Sequence, residues 1–447
     1  MEPFRRKIYS DLLDWKDRFS GEYALLIEGA RRVGKTTLVK EFAKNEYRTS
    51  LFIDLGENPH NVRKILQDYS GDYDSMFRVL QTLFRTKLYP HESVIIFDEV
   101  QMFPFARQMI KYLVEYGKYP IIETGSLISL KQNVEGIIVP SEEMRLYMHP
   151  MDFEEFLWAK GDDSCIPLLR EHFEKREPLG SLLHESVMRE YATYMAVGGM
   201  PQAVSKYIEG GDFESVDHVK SMILDLYKDD VMKIRGNLGT KVRSVLMQIP
   251  SQLSRHGKRF SPGKVSKDSR VRDYRSSFEW LRESGIANIC YACTDPGPAP
   301  DLYIDENILK AYLLDTGLLI TLAFQSNVAE RGSLYEALIS GDLGTNEGML
   351  FENIVAQELV ARGIKPVFFE FSTDESTRIQ EIDFLISDGR KVLPIEVKSG
   401  RSASHKSLDR YLRKYSDRSD EAIVIHTKDL RTDGPITYIP VYMTMFI

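Results

Sequence analysis

The residues best suited to chemistry in this sequence fall in two widely separated groups. The first begins at Gly29-Ala30-Arg31-Arg32-Val33-Gly34-Lys35-Thr36-Thr37, directly after the apolar run Tyr23–Glu28. Two glycines five residues apart, followed by Lys and Thr, make a P-loop. Its backbone N–H groups close around phosphate at a helix N-terminus, where the helix dipole favours anions. Lys35 would reach the β- and γ-phosphates, the Thr36 hydroxyl would ligate Mg²⁺, and Arg31, Arg32, Val33 and Thr37 complete the cradle. A second apolar run, Ser93–Asp98, ends in the carboxylates Asp98 and Glu99. Asp98 can hold the same Mg²⁺ through water, and Glu99 can align or deprotonate the attacking water. The alternative is a pair of acids opening a helix. Ser126, closing Ile121-Ile-Glu-Thr124-Gly-Ser126, is placed to sense the γ-phosphate or the water; the alternative is a plain strand-to-loop turn.

The second group lies near the C-terminus. Asp383 sits in Glu381-Ile-Asp383-Phe-Leu-Ile, Glu396-Val-Lys398 follows thirteen residues later, and Glu352 belongs to the preceding helical stretch. Carboxylates on adjacent strands are hard oxygen ligands for Mg²⁺, which stabilises phosphoryl oxygens and activates water. Asp383, Glu396 and Glu352 are the expected metal ligands, and Lys398 would position the water or offset charge. Glu396 and Lys398 are two apart and share a strand face. An Asp followed by Glu-x-Lys is common by chance, so the weight comes from context. Carboxylates inside apolar strands cost free energy unless they meet a metal or a cation. A surface ion cluster, or a nuclease fold without activity, is the competing reading.

The elements that must position these groups follow from periodicity. Residues 23–130 alternate short β-branched runs (23–28, 50–55, 93–98, 120–124) with amphipathic stretches, the rhythm of an α/β parallel sheet. A helix is expected over Thr37–Lys44. Residues 150–235 read as helical, broken most strongly at Gly198-Gly199-Met200-Pro201. Residues 241–253 and 271–284 read as helices with a short helix after Ser261-Pro262, and strands follow at 286–293 and 307–315. From residue 348 the order is helix, three strands, helix, strand.

Composition bounds the function classes. The chain has 447 residues, is 43% hydrophobic and 28% charged, and carries a net charge of −8, which excludes a wholly basic nucleic-acid binder but not a local basic patch. Three cysteines cannot build a disulfide framework, so a reducing, cytoplasmic setting is expected. Cys290-Tyr-Ala-Cys293 has no second pair to complete a zinc site and reads as two core cysteines. The N-terminus lacks a signal-peptide core. The apolar stretch Ile308–Phe324 is interrupted by Lys310, Asp315 and Gly317, so no membrane association is expected.

Residues 1 to about 230 resemble the AAA+ family of prokaryotic ATPases, whose P-loop reads roughly G-P-R-R/Q-V-G-K-T-T. The carrying motifs are Gly29–Thr37, Asp98-Glu99-Val100-Gln101, Thr124-Gly125-Ser126, His149-Pro150-Met151-Asp152-Phe153-Glu154-Glu155-Phe156 and Gly198-Gly199-Met200-Pro201, in the family's order. Ala30 replaces the usual proline, and Met144-Arg145 stands where the family has Gly-Arg. The resemblance implies ATP and Mg²⁺ as cofactors, with ATP sites completed by a neighbour in a homo-oligomer. Arg145 and Arg189 are the candidates for an arginine finger. Residues 345–430 resemble a PD-(D/E)XK-like domain of unknown function often fused to this ATPase, with Asp315-Thr316-Gly317-Leu318 and Leu350-Phe351-Glu352-Asn353 as entry segments.

Between the two lies a basic segment, Arg255, Lys258, Arg259, Lys264, Lys267, Arg270, Arg272 and Arg275 against Asp268 and Asp273. Its element order resembles a winged helix-turn-helix, which implies DNA contact through Arg270, Arg272, Tyr274 and Arg275. A solvated basic face, or a docking surface for the acidic remainder, is the alternative. The expected architecture is an α/β multidomain chain: a P-loop AAA+ core with a parallel sheet (1–180), a helical lid (181–238), a winged-helix segment (239–325) and a restriction-endonuclease-like α/β domain (326–447). The expected function is a Mg²⁺-dependent ATPase with a nuclease-like domain acting on DNA. The alternative is a nucleotide-gated scaffold or DNA-binding switch with an inactive nuclease fold.

Overall fold

The four apolar runs of the N-terminal region become strands, and a fifth joins them: β1 (Ala24–Glu28), β2 (Thr49–Asp54), β3 (Ser93–Asp98), β4 (Ile121–Gly125) and β5 (Glu143–Tyr147). The computed structural model describes all residues except 1–2, 127–139, 256–257, 268, 326–327, 341–346, 374–375 and 401–404. The chain divides into two units, Met1–His149 with Glu283–Gly285, and Pro150–Arg282 with Ile286–Ile447.

In the first unit the sheet order is β2-β3-β4-β1-β5 and every pairing is parallel. Parallel neighbours need crossover connections. These are supplied by α2 (Lys35–Glu46), by α3 (Val62–Asp68) with α4 (Tyr73–Leu83), and by α5 (Pro104–Tyr116); α1 (Ile8–Arg18) precedes the sheet. The strands read as near-continuous apolar runs because helices cover them. Leu51, Ile53, Ile95 and Phe97 pack against Leu66, Met76, Phe77, Leu80, Ile110 and Leu113. Because β4 lies between β3 and β1, the carboxyl ends of all three strands share one edge. Asp98, Thr124 and the loop from Gly29 are thereby gathered where open α/β sheets bind ligands. Helix α2 starts at Lys35 rather than Thr37, so the lysine occupies its first turn.

The second unit opens with six helices: α6 (Phe153–Ala159), α7 (Cys165–Lys175), α8 (Ser181–Val197), α9 (Pro201–Ile208), α10 (Phe213–Met232) and α11 (Asn237–Leu253). The Gly-Gly turn joins α8 to α9 under tight constraint. A Cβ on Gly199 would stand 2.0 Å from the Met151 carbonyl oxygen, and Gly198 has a φ of +83°. Buried Asp315 accepts from the Gly199 N–H at 2.6 Å and caps α13 (Thr316–Ala323) through the Leu318 N–H at 2.8 Å. Two motifs far apart in sequence thus form one buried joint.

Beyond it come α12 (Arg275–Glu283), β6 (Ala287–Cys293), β7 (Ile304–Leu313), α14 (Val328–Ser340), α15 (Glu347–Ala361), β8 (Val367–Thr373), β9 (Ser376–Asp388), β10 (Lys391–Val397), α16 (Lys406–Lys414), β11 (Ala422–His426), β12 (Arg431–Asp433) and β13 (Ile436–Pro440). The eight strands form one sheet in the order β12-β13-β11-β10-β9-β8-β6-β7. Strands β8, β9 and β10 are an antiparallel meander, and β11 runs parallel to β10. The β6–β7 hairpin, which the sequence grouped with a winged helix, continues this sheet through a parallel β6–β8 pairing. The short helix after Ser261-Pro262 is a single 3₁₀ turn, Pro262–Lys264. Cys290 and Cys293 are both free and buried, on either side of a bulge in β6. Among the described residues no helix is long and apolar enough to cross a membrane.

Candidate functional site

At the edge shared by β1, β3 and β4, the chain leaves β1 through Gly29, whose φ is +151°; a Cβ there would lie 2.3 Å from the Met148 carbonyl oxygen. Arg32 and Gly34 also take positive φ, at 69° and 105°, which turns the loop back on itself before α2 begins. A non-glycine residue in that region is held by its surroundings. Arg6 supplies part of the hold, donating to the Val33 carbonyl at 2.8 Å and the His149 carbonyl at 2.7 Å. The buried Lys35 ammonium donates to Gly29 O at 2.9 Å and Ala30 O at 2.8 Å. Burial pushes its pKa down to about 8, against the opposing pull of Glu99 and Asp98.

The Thr36 hydroxyl lies 3.0 Å from each carboxylate oxygen of Asp98, and Thr124 donates to the same carboxylate. Asp98 is 3% exposed and is fixed by its strand and by two hydroxyls. Glu99 leaves the strand in a left-handed conformation, φ 55°, so its side chain is set at the sheet edge rather than continuing the strand alternation. Gln101 donates to Glu99 and reaches Ser126 Oγ at 3.4 Å. Lys35, Thr36, Asp98, Glu99 and Ser126 therefore belong to one neighbourhood. The oxygens of Thr36 and Asp98 are the hard donors Mg²⁺ prefers, close enough together to share one ion.

In the second unit, Ile395 of β10 pairs with Phe384 of β9 in antiparallel register, and Glu396 and Asp383 are the residues next to that pair. The Val397 N–H donates to Asp383 Oδ2 at 2.8 Å, and Lys398, one residue past the end of β10, pairs with Glu396. From α15 comes Glu352, buried, whose Oε2 accepts from Tyr312 at 3.0 Å and whose other oxygen meets Lys258. Lys310 of β7 reaches into the same set. It lies 2.7 Å from Glu381, 3.8 Å from Glu352 and 3.9 Å from Asp383, with its side chain wholly buried. Burial, and then the Glu352 charge, raises the Asp383 carboxyl to about 7. Among the described residues, no group of three or more Asp, Glu, His or Cys side chains is drawn together as a metal site. Lysine ammonium groups sit against the carboxylates instead. The donor set still suits a hard cation at one point: Glu396 Oε2 is buried and has no partner among the described residues.

Residues 21–157, which carry the first of these neighbourhoods, match the family model of an AAA domain. This stretch is a P-loop ATPase domain of the AAA type. Residues 188–329 and 347–443 match two further models, each described as a domain of unknown function, DUF8612 and DUF4143. Among curated proteins, none matches the chain. Solved structures similar to it include the Walker-type ATPase PABY2304 of Pyrococcus abyssi, at 18% identity over 72% of this chain and 96% of that one, TM-score 0.40. Another is Cdc6p from Pyrobaculum aerophilum, at 12% identity over 77% and 97%, TM-score 0.27. A third is AMPPCP-bound DnaA from Aquifex aeolicus, at 14% identity over 62% and 77%, TM-score 0.25.

Around the phosphate loop, sequence reasoning missed Arg6 and the bond from Thr124 to Asp98. Arg6 has no motif around it. Thr124 ends an apolar run, as Asp98 does, and that shared position was its signal. Arg145 pairs with Glu143 at 2.8 Å, on β5 beside β1. In the second unit the reading missed Lys258, Lys310, Glu381 and Tyr312. Lys310 carried a signal, as a lone charge inside an apolar stretch. The basic segment is partly spent on internal pairs: Lys258 with Glu352, Arg259 with Glu370 and Arg275 with Glu306. Lys264, Lys267, Arg270 and Arg272 remain exposed to solvent.

Proposed function

We propose that the AAA domain binds ATP with Mg²⁺ and hydrolyses it, and that the second unit cleaves phosphodiester bonds in DNA. The observation that carries the first half is Asp98, held between the Thr36 and Thr124 hydroxyls with Glu99 one residue beyond it. In this reading the loop amides of Gly29–Thr37 bind the phosphates, and Lys35 exchanges its loop carbonyls for β- and γ-phosphate oxygens. Bound Mg²⁺ supplies charge neutralisation at the phosphates. Glu99, oriented by Gln101, takes a proton from the attacking water, and Ser126 stands beside that pair. Intact protein assayed for ATP turnover with and without DNA tests this; no turnover in either condition would overturn it.

The second half is supported by Asp383, which accepts from the Val397 N–H beside Glu396, with Lys398 paired to Glu396 and Glu352 presented from α15. Asp383, Glu396 and Glu352 would hold Mg²⁺, which when bound polarises the scissile phosphate. Lys398 would orient water for attack. The basic segment enters beside this set through Lys258, so its exposed Lys264, Lys267, Arg270 and Arg272 are suited to the phosphate backbone that a cleavage site must hold. Supercoiled plasmid incubated with the protein and Mn²⁺ should be nicked, and Glu396→Gln should leave it intact. Equal nicking by both proteins would remove the cluster from the chemistry.

One observation favours a second reading, a nucleotide-gated DNA-binding switch without cleavage. Lys258, Lys398 and Lys310 already stand against Glu352, Glu396 and Asp383, the carboxylates that the metal needs.

A further inference from the structure

Four carboxylates, Glu352, Glu381, Asp383 and Glu396, meet three ammonium groups, Lys258, Lys310 and Lys398, in the second unit. The lysines are not equivalent. Lys258 and Lys398 keep 17% and 27% of their side chains exposed, while Lys310 keeps none. Lys258 and Lys398 are each ion-paired to one carboxylate; Lys310 lies within 4 Å of three, with 3.8 Å to Glu352 and 3.9 Å to Asp383. It comes from β7, in the stretch before α15, and not from the α15–β10 region that carries the carboxylates. Its ammonium also lies 4.9 Å from the centre of the Phe368 ring, on β8.

A buried ammonium among carboxylates does electrostatically what a divalent cation does there, with one charge fewer and no coordination bonds. Two cations a few ångströms apart repel, and at the effective dielectric of such sites that repulsion changes affinity by at least an order of magnitude. We propose that Lys310 is the resident counter-ion of the carboxylate set and antagonises divalent-metal binding there. Metal occupancy then depends on displacing the β7 ammonium from Glu352, Glu381 and Asp383. Phe368 offers that ammonium a cation–π contact that needs none of the three carboxylates. This rests on the reading of Glu352, Asp383 and Glu396 as a metal site, and it names a control on that site: β7 decides whether the site loads.

The test is Mn²⁺ binding to the intact chain without nucleotide, read by calorimetry and by the Mn²⁺-induced shift in Tm. Lys310→Met should bind Mn²⁺ at least tenfold more tightly than the wild type and show the larger Tm shift. Lys310→Arg, which keeps the charge, should stay close to wild type. Adding Glu396→Gln to Lys310→Met should abolish the gain, which assigns the ion to this cluster and not to Thr36 and Asp98. Lys310→Met leaves three carboxylates without their shared cation, so it should be less stable in EDTA. If it does not fold there, Lys310→Gln carries the same comparison. Equal Mn²⁺ affinity in wild type and Lys310→Met would overturn the counter-ion role while leaving the metal site standing. No Mn²⁺ binding to any variant would overturn the metal site itself and this proposal with it.

Discussion

Thr36 and Asp98, sixty-two positions apart, meet with the Thr36 hydroxyl 3.0 Å from both carboxylate oxygens. One ends the phosphate loop and the other ends β3, a strand not adjacent to β1 in the sheet. The contact exists because β4 lies between them and brings both strand ends to one edge, with Thr124 of β4 donating to the same Asp98. Nucleotide chemistry at this edge leads to the first expectation.

Lys35→Ala should weaken ATP binding on the order of 10²-fold while leaving the fold intact, because the charge-assisted hydrogen bonds to phosphate disappear. Glu99→Gln keeps the shape and loses the base. It should bind ATP normally and turn over on the order of 10²-fold more slowly. Fluorescent-nucleotide titration and phosphate release separate the two effects. Wild-type turnover in Glu99→Gln would remove that residue from water activation.

On the proposed reading, DNA binding should fall steeply with salt, since each phosphate neutralised releases counter-ions. Replacing Lys264, Lys267, Arg270 and Arg272 with alanine should flatten the salt slope by about one for each phosphate left without its cation. Arg275 is paired with Glu306, so Arg275→Ala should matter less than Arg270→Ala or Arg272→Ala. Mobility shifts at two salt concentrations suffice. Unchanged affinity in the quadruple variant would place the DNA on another surface.

Gly199→Ala should destabilise the second unit by about 2 kcal/mol or more, since its Cβ would stand 2.0 Å from the Met151 carbonyl oxygen and backbone would have to move. Asp315→Asn should weaken the same joint by keeping its size while removing the charge that accepts from Gly199 and Leu318. A fall in Tm for both, with ATP affinity preserved, is the expected pattern; a wild-type Tm for Gly199→Ala would contradict the packing described.

Acid should destabilise the protein well before the carboxylates titrate fully. His426 is 2% exposed, and burial, then Arg431, Lys428 and His184, lower its pKa to about 4 against the opposing Asp429. His149 is lowered to about 4 by burial and then by Arg6. The unfolded chain binds these protons near pH 6.5 and the folded chain near 4. The stability these two histidines contribute is therefore fully present above about 6.5 and is lost as pH falls towards about 4, by roughly 1–3 kcal/mol for His426, while the raised Asp383 carboxyl acts in the opposite sense. His426→Phe keeps a ring and cannot titrate, so its Tm should fall less than that of the wild type across this acid range. Parallel curves for the two proteins would place the acid sensitivity at other groups.

Much of this molecule was legible because its signals are local. A glycine-bounded loop before Lys35-Thr36 reads as a phosphate cradle wherever it sits, since backbone amides and a helix start bind the anion. Buried parallel strands announce themselves as apolar runs, and carboxylates that end or interrupt such runs, as Asp98, Asp383 and Glu396 do, stand out because burying them is unfavourable. The spacing of two between Glu396 and Lys398 suggested that they would meet, and they form an ion pair although the strand ends at Val397. What the tertiary structure decided was which charges meet. Lys310 looked in the sequence like a mere interruption of an apolar stretch, and Asp315 like an interruption that also opens an entry segment of the C-terminal domain. Only the fold shows that one neutralises three carboxylates and the other ties Gly199 to α13. The β6–β7 hairpin likewise had no way of declaring its partner, because strand pairing depends on edges contributed from far along the chain, and it joined β8 in a single sheet. Ion pairs and strand partners are long-range choices made by packing. The sequence pattern records that a buried charge needs an answer, and the folded chain supplies which residue gives it.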